Sequence, residues 1–128
     1  SIRPYQHVLE PLYAYLMIAA RQMQDGRCAG YYNVGPDDAD CFQTGALVEL
    51  FVRQWGEGME WVDRSDGGPH EAGFLKLDCS LLKNTFGWKP RWNLENAVAM
   101  TVEWSKIWLA RGDVRACMDR QIHAFLGE

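Results

Sequence analysis

The sequence predicts an α/β fold, a small mixed domain of about five helices with two or three short strands. The chain has 128 residues, within the usual size of a single domain, so we expect residues 1–128 to form one domain. Its 48% apolar and 23% charged residues are typical of a globular protein. Segments with helical spacing dominate, and the strand-like runs are too few for an independent doubly wound sheet.

Two helices are predicted in the first half of the chain. The first begins at Glu10-Pro11, because proline suits a first helical position, and it stops at Gly26. Its apolar residues recur at helical spacing at Leu12, Tyr15, Leu16, Ala19 and Met23. Thr44 is expected to cap the second helix, which stops at Gly56. The apolar positions of this helix are Leu47, Val48, Leu50, Phe51 and Trp55.

Short strands are predicted between the helices. Residues 31–34 are predicted to form a buried strand, which ends at the turn residues 35–38. A second strand is predicted at 59–62, followed by a loop at 63–69 that is rich in glycine, aspartate and proline. Residues 74–77 return to apolar character and are the candidate for a third strand.

Three further helices are predicted in the second half. Asp78 is expected to cap a short helix that Gly87 ends, and Asn93 a long helix that Gly112 ends. Asp113 is expected to cap the final helix. The inner face of the long helix is predicted to carry Leu94, Ala97, Val98, Thr101, Val102, Ile107 and Trp108. One side of the final helix is predicted to carry Val114, Cys117, Ile122 and Phe125.

Composition excludes several classes of function. The net charge of −4 and pI near 5.3 argue against a nucleic-acid surface, which needs a basic face. No apolar run approaches the ~20 residues of a membrane span. The four cysteines are scattered, as expected for reduced thiols in a cytoplasmic protein, and no metal site is expected. Some of the six tryptophans are expected at a surface that another domain or subunit covers.

A dinucleotide cofactor is not expected on this chain. No glycine-rich dinucleotide-binding loop follows a strand, and none of the five tyrosines has a lysine four residues later. The sequence therefore predicts no cofactor in this chain.

Three segments carry candidate binding chemistry, each with a plainer alternative. Arg3 offers a guanidinium to a diphosphate, or is a solvated terminal side chain. His70 and Glu71 could hold ribose hydroxyls beside a diphosphate, or form an ordinary polar loop. Residues 88–92 could stack on a base, although packing of an extended connector against the long helix is preferred. His7 is interpreted as a structural histidine rather than a base.

Taken in order, these segments resemble the CDP-glucose 4,6-dehydratases, a branch of the extended short-chain dehydrogenases/reductases. Residues 3–11 (RPYQHVLEP) closely resemble the family stretch RPWQHVLEP, and residues 33–38 (NVGPDD) its NFGPD turn. Residues 70–92 resemble its run HEA, LKLDCSKAK, LGW and PRW, although Leu81 and Leu82 stand in the place of Lys-Ala. The resemblance covers nearly the whole chain.

The resemblance implies a fold like the C-terminal lobe of these enzymes, which binds a nucleotide sugar against an NAD-binding Rossmann domain. The implied reaction is the NAD-dependent dehydration of CDP-glucose to CDP-4-keto-6-deoxyglucose, a precursor of dideoxysugars in bacterial surface polysaccharides. Arg3 matches the diphosphate-binding arginine, Glu71 the position that holds the ribose hydroxyls, and His70 lies beside it in the same pocket. The family's catalytic Tyr–Lys pair and cofactor loop would lie upstream of Arg3, so no dehydratase activity is expected of this chain alone.

Three hypotheses stay open on the sequence. The chain could be a dehydratase lobe that binds a CDP-glucose-like sugar weakly. It could be one half of an enzyme that a separate Rossmann half completes. Finally, it could be a stand-alone structural or interaction module that self-associates as a homodimer and whose substrate site is dead.

Overall fold

A computed structural model describes residues 1–64 and 73–128. Within these ranges the chain forms five α-helices and one two-stranded sheet, with no Rossmann-type sheet, which confirms the predicted fold class. The strands are β1 (Ile2–Pro4) and β2 (Cys41–Gln43). The helices are α1 (Leu9–Gln24), α2 (Thr44–Trp55), α3 (Ser80–Phe86), α4 (Leu94–Leu109) and α5 (Val114–Leu126).

The strands lie at other positions than the sequence predicted. β1 pairs with β2 in antiparallel register, with Arg3 opposite Phe42. The strands predicted at 31–34 and 59–62 are wrong, since neither segment is in a strand, and residues 74–77 supply only a bridge between Phe74 and Ile2. An apolar run becomes a strand only where a backbone partner lies beside it. At Val34 the carbonyl instead accepts a hydrogen bond from the side chain of Gln6, at 3.1 Å.

Helix ends follow the predicted caps where the cap is local. Asn93 Oδ1 accepts from the amide of Asn96 at 2.9 Å, and Asp113 Oδ1 accepts from the amide of Ala116 at 2.9 Å. Each bond satisfies one of the free amides of a first helical turn. Gly87 ends α3 in the left-handed conformation, with φ of 62°. All three of these predictions are confirmed.

Two predicted caps are displaced. Thr44 is the first residue of α2 rather than its cap, and its hydroxyl is 2.9 Å from the hydroxyl of Tyr5. Cys79 occupies the cap position of α3, one residue after the predicted Asp78. Asp78 still accepts from the amide of Ser80 at 2.9 Å, so it stabilises the same turn from one position further out.

The core consists of two clusters. One joins α1, α3 and the start of the following connector, and its buried members are Ala14, Cys79, Leu82, Phe86 and Trp88. The other joins α2 to α4, and its buried members are Leu94, Val98 and Val102. Leu47, Leu50, Phe51 and Trp55 of α2 pack on this second cluster, in agreement with the apolar positions predicted for both helices. Thr101 and Trp108, also predicted on the inner face of α4, are exposed.

Residues 88–92 form the connector between α3 and α4, and they pack chiefly on helices distant in sequence. Trp88 is only 5% exposed, within the first cluster. The ring of Trp92 meets that of Phe125 in α5 edge-on at 5.1 Å. Both connector amides at Arg91 and Trp92 donate to Glu10 Oε1 of α1, at 2.8 and 2.7 Å. The connector therefore ties together the first and last helices, whereas the sequence favoured packing on the long helix.

Two further structural facts bear on function. All four cysteines are free thiols, with Cys79 and Cys117 buried. In the ranges 1–64 and 73–128, no helix is long and apolar enough to cross a membrane.

Candidate substrate-binding site

Arg3, the predicted diphosphate ligand, lies in the middle of β1. The strand register fixes its backbone opposite Phe42, and its side chain is half-buried. The Nη1 atom of Arg3 donates to the carbonyl of Ile2 at 3.0 Å. The guanidinium therefore extends from a paired strand whose backbone is fixed by β2.

The segment that follows the predicted ribose site returns to β1. The amide of Ile2 donates to the carbonyl of Gly73 at 3.0 Å, and the amide of Leu75 donates to the carbonyl of Ile2 at 3.0 Å. His70 and Glu71 themselves lie outside the described residues, so their proximity to Arg3 stays a prediction. What the structure provides is a backbone connection between Gly73, two residues after Glu71, and Ile2, the neighbour of Arg3.

A second cation lies on this returning segment and was not singled out from the sequence. The ammonium of Lys76 is 3.1 Å from Asp38 Oδ2 and 5.3 Å from the centre of the Phe74 ring. Phe74 forms a β-bridge with Ile2, the residue before Arg3 in β1. Lys76 lies two residues after Phe74. The alternation of Phe74 and Lys76 was the available signal, because residues i and i+2 of an extended segment share a face. Asp38 offsets part of the charge of Lys76.

His7 is a packed side chain, as the sequence suggested. Its Nδ1 atom accepts from the amide of Leu9 at 3.2 Å, and its ring meets Trp92 edge-on at 5.0 Å. Burial lowers the pKa of His7 below its ordinary value of 6.5. The imidazole is therefore neutral at pH 7 and offers no positive charge to a phosphate.

Two cavities flank His7, of about 330 and 320 Å³. Both are lined mainly by apolar side chains, and Arg3 lines neither. The residues that line the first cavity are His7, Val8, Leu9, Met100, Thr101, Trp104, Met118, Gln121 and Ile122. Without a cation in the wall, neither cavity suits a diphosphate, because a buried anion needs paired charge or donors.

Several residues that carry the family resemblance hold the fold together. Asn33 Nδ2 donates to the carbonyl of Asp78 at 3.1 Å, and Lys83 forms an ion pair with Asp37. A Cβ atom at Gly35 would lie only 3.0 Å from Leu77 Cδ1, so a larger residue here would have to displace Leu77. The two motifs at 33–38 and 76–83 thus bind each other. Of the three residues predicted to bind substrate, Arg3 is the one that lies within the described ranges 1–64 and 73–128.

Metal chemistry finds no support in the described part of the chain. Across 1–64 and 73–128, no group of three or more histidine, cysteine, aspartate or glutamate side chains is placed to hold a metal ion.

Comparison with known proteins finds that the sequence is similar to part of a curated enzyme. No protein-family model matches the chain. It is 39% identical over 127 residues to CDP-glucose 4,6-dehydratase of Salmonella typhimurium strain LT2. The alignment covers 98% of this chain but only 35% of that enzyme. Over nearly all of its own length, the chain is therefore similar to a portion, about a third, of a CDP-glucose 4,6-dehydratase.

Proposed function

We propose that this chain is the C-terminal substrate-binding portion of a CDP-glucose 4,6-dehydratase-like protein. The supporting observation is the 39% identity across 98% of the chain. The position of Arg3 on β1, beside the segment that follows Glu71, is compatible with one shared binding surface. In this proposal the chain contributes contacts to the diphosphate and ribose of a nucleotide sugar.

Each proposed residue has a distinct chemical role. The planar guanidinium of Arg3 donates two parallel hydrogen bonds to diphosphate oxygens. The carboxylate of Glu71 accepts hydrogen bonds from the ribose hydroxyls, and His70 lies against the same ligand. Charge-assisted hydrogen bonds contribute roughly 1.5–3 kcal/mol each, whereas association costs about 4–15 kcal/mol. The chain alone is therefore expected to bind a nucleotide sugar only weakly, with a dissociation constant of about 1 mM or higher.

Catalysis is proposed to need residues outside this chain. The chain spans about a third of the length of the relative it matches. NAD and the groups that remove and return hydride would belong to a Rossmann portion, in the same polypeptide or in a separate one. We expect the 128-residue chain to turn over no CDP-glucose by itself.

The experiment that tests this proposal is an NMR titration of the chain with CDP-glucose, with UDP-glucose as the comparison ligand. Binding is expected to shift the amide resonances of β1, of residues 70–75 and of Lys76. Shifts should be larger for the CDP sugar if the chain contributes to base selection, and equal if that selection lies elsewhere. A folded sample whose spectrum does not change even when the nucleotide sugar approaches its solubility limit would contradict the proposal.

Matched variants distinguish binding at a specific site from attraction by the net charge of the chain. Arg3→Ala and Glu71→Gln are expected to weaken binding about tenfold each, since each removes one charge-assisted contact. Arg115→Ala is the control, because Arg115 is an exposed arginine on α5, far along the chain from the site. Equal losses in Arg3→Ala and Arg115→Ala would mean that net charge, and not a site at β1, governs the binding.

A further inference from the structure

A cavity of about 920 Å³ lies between α1, the connector at residues 88–92 and the end of α5. Three of the described residues that line it are basic, namely Arg21, Lys89 and Arg91, and none is acidic. The chain as a whole has 17 acidic and 13 basic residues, so this excess of positive charge is local. We call this space the basic cavity. Its volume is within the usual range of small-molecule sites, and the charge of its wall favours an anion.

Arg91 is fixed in the wall of the basic cavity. Its Nη1 atom donates to the carbonyl oxygens of Phe125 and Leu126, at 3.1 and 3.4 Å, and its Nη2 atom donates to the hydroxyl of Tyr13 at 3.1 Å. These bonds use three of the five N–H donors of a guanidinium, which leaves two for a ligand. The carboxylate of Glu10 acts on the charge of Arg91, but Glu10 is 1% exposed and does not line the basic cavity. The guanidinium is therefore positioned before a ligand binds.

The other two cations are exposed and unpaired. The side chains of Arg21 and Lys89 make no hydrogen bond or ion pair with any described residue. By contrast, the ammonium of Lys106 is 2.9 Å from Glu57 Oε1. A cation that has no partner within the protein can exchange its water for the oxygens of an anion.

The positive charge is spread along the basic cavity. Tyr13, Met17 and Arg21 share one face of α1, because they are four residues apart, and all three line the cavity. Arg91 lies at the Tyr13 end, where its guanidinium carbon is 4.5 Å from the centre of the Tyr13 ring. Arg21 is about 12 Å further along the helix axis. Lys89 lies two residues before Arg91 in the connector. An elongated anion can therefore meet more than one cation at once.

We propose that the basic cavity binds an oligophosphate, a ligand with three or more linked phosphate groups. A guanidinium forms paired hydrogen bonds to phosphate oxygens, and an ammonium adds a point charge. Linked phosphates present charge along their length, as the wall does, whereas a single phosphate presents it at one point. The site is separate from the proposed nucleotide-sugar site, because Arg3 does not line the basic cavity.

NMR titration of the 128-residue chain with inorganic tripolyphosphate, at low ionic strength and up to about 10 mM, tests the proposal. Amide shifts are expected at Arg21, at residues 88–92 and in the last turn of α5. Arg21→Ala and Lys89→Ala should each weaken binding about three- to tenfold, because each removes one charge-assisted contact. Both residues are exposed, so these variants should keep the fold. Arg115→Ala is the control, because Arg115 is exposed on α5 and does not line the cavity.

ATP as a second ligand distinguishes the source of the phosphates. If ATP binds no more tightly than tripolyphosphate, the site recognises the phosphate chain alone, and tighter binding of ATP would assign the site to a nucleotide. Arg3→Ala should leave the binding of tripolyphosphate unchanged, which separates this site from the proposed nucleotide-sugar site. An unchanged spectrum with tripolyphosphate overturns the proposal, even if ATP binds. Shifts confined to β1, or equal losses in Arg21→Ala and Arg115→Ala, would overturn it as well.

Discussion

The two sides of α1 both carry apolar side chains, but the inner side also buries a carboxylate. On the inner side, Glu10 is 1% exposed and Ala14 is fully buried. On the outer side, Leu16 and Met23 are 72% and 90% exposed. A carboxylate is thus buried while a methionine of the same helix is in water. The inner side is distinguished both by its packing on the first core cluster and by the hydrogen bonds that Glu10 accepts from the connector.

The geometry at Glu10 explains why its burial is tolerated. Its Oε1 atom accepts from the amides of Arg91 and Trp92, two adjacent donors on a segment without regular secondary structure. Buried backbone donors need an acceptor, and a carboxylate supplies a strong one. The second oxygen, Oε2, is buried with no hydrogen-bond partner among the described residues. Burial therefore has a cost that the two amide bonds offset, and this balance makes the inner side of α1 sensitive to substitution.

The largest expected effect follows from removing this acceptor. Glu10→Ala leaves the amides of Arg91 and Trp92 buried without an acceptor, at about 1–3 kcal/mol each. Relief of the buried carboxylate offsets part of the loss, so we expect destabilisation of roughly 2–4 kcal/mol. Urea unfolding followed by circular dichroism measures it. Glu10→Gln retains one acceptor oxygen and should lose clearly less; equal losses in the two variants would show that these amide bonds do not stabilise the connector.

A single substitution made on both sides of α1 compares them directly. Ala14→Leu forces a larger side chain into the first core cluster and is expected to destabilise the domain by about 1–3 kcal/mol. Ala19→Leu makes the same change on the exposed side and should alter stability by less than about 0.5 kcal/mol. Thermal unfolding at low protein concentration measures both. Equal losses would mean that the outer side is packed in the monomer.

The comparison also shows what sequence patterns can predict here. The periodicity of Leu12, Leu16 and Met23 located α1, but a period alone does not tell which side of a helix is covered. Asn93 and Asp113 were predicted correctly as caps, because a cap bond spans only three residues. Strands 31–34 and 59–62 were wrong because pairing depends on distant segments. The observed pairing of Arg3 with Phe42 joins residues that no local pattern connects.

The candidate site was predictable to a more limited degree. Arg3 was selected from the residues and from the family resemblance, and the structure adds its strand and its neighbour Gly73. The position of Lys76 near β1 was not predicted, because it depends on the bridge between Phe74 and Ile2. Several of the motif residues make structural contacts, such as the ion pair of Lys83 with Asp37. A specific resemblance therefore does not separate residues that bind a ligand from residues that support the fold.

The smallest expected effect concerns the charge of Glu10 rather than its hydrogen bonds. Burial raises the pKa of Glu10 above its ordinary value of 4.5, against the opposing effects of the amides of Trp92 and Arg91 and of the Arg91 charge. Because the folded-state pKa is the higher one, the folded chain binds more protons than the unfolded chain between the two values. The stabilising contribution of this proton is complete below the ordinary glutamate range and is lost as the pH rises through the folded-state pKa.

Glu10→Gln isolates this contribution because glutamine does not titrate. As the pH rises from about 4 toward 7, the wild-type chain should lose stability relative to Glu10→Gln, whatever the offset between the two at low pH. Urea unfolding of both proteins at matched pH values measures the difference, in which the titration of the other carboxylates cancels. A difference that stays constant with pH would show that the two amide bonds and the Arg91 charge fully offset desolvation at Glu10, and one that moves in favour of the wild type would show that they outweigh it. The buried side of α1 would then tolerate the ionised carboxylate as readily as water does.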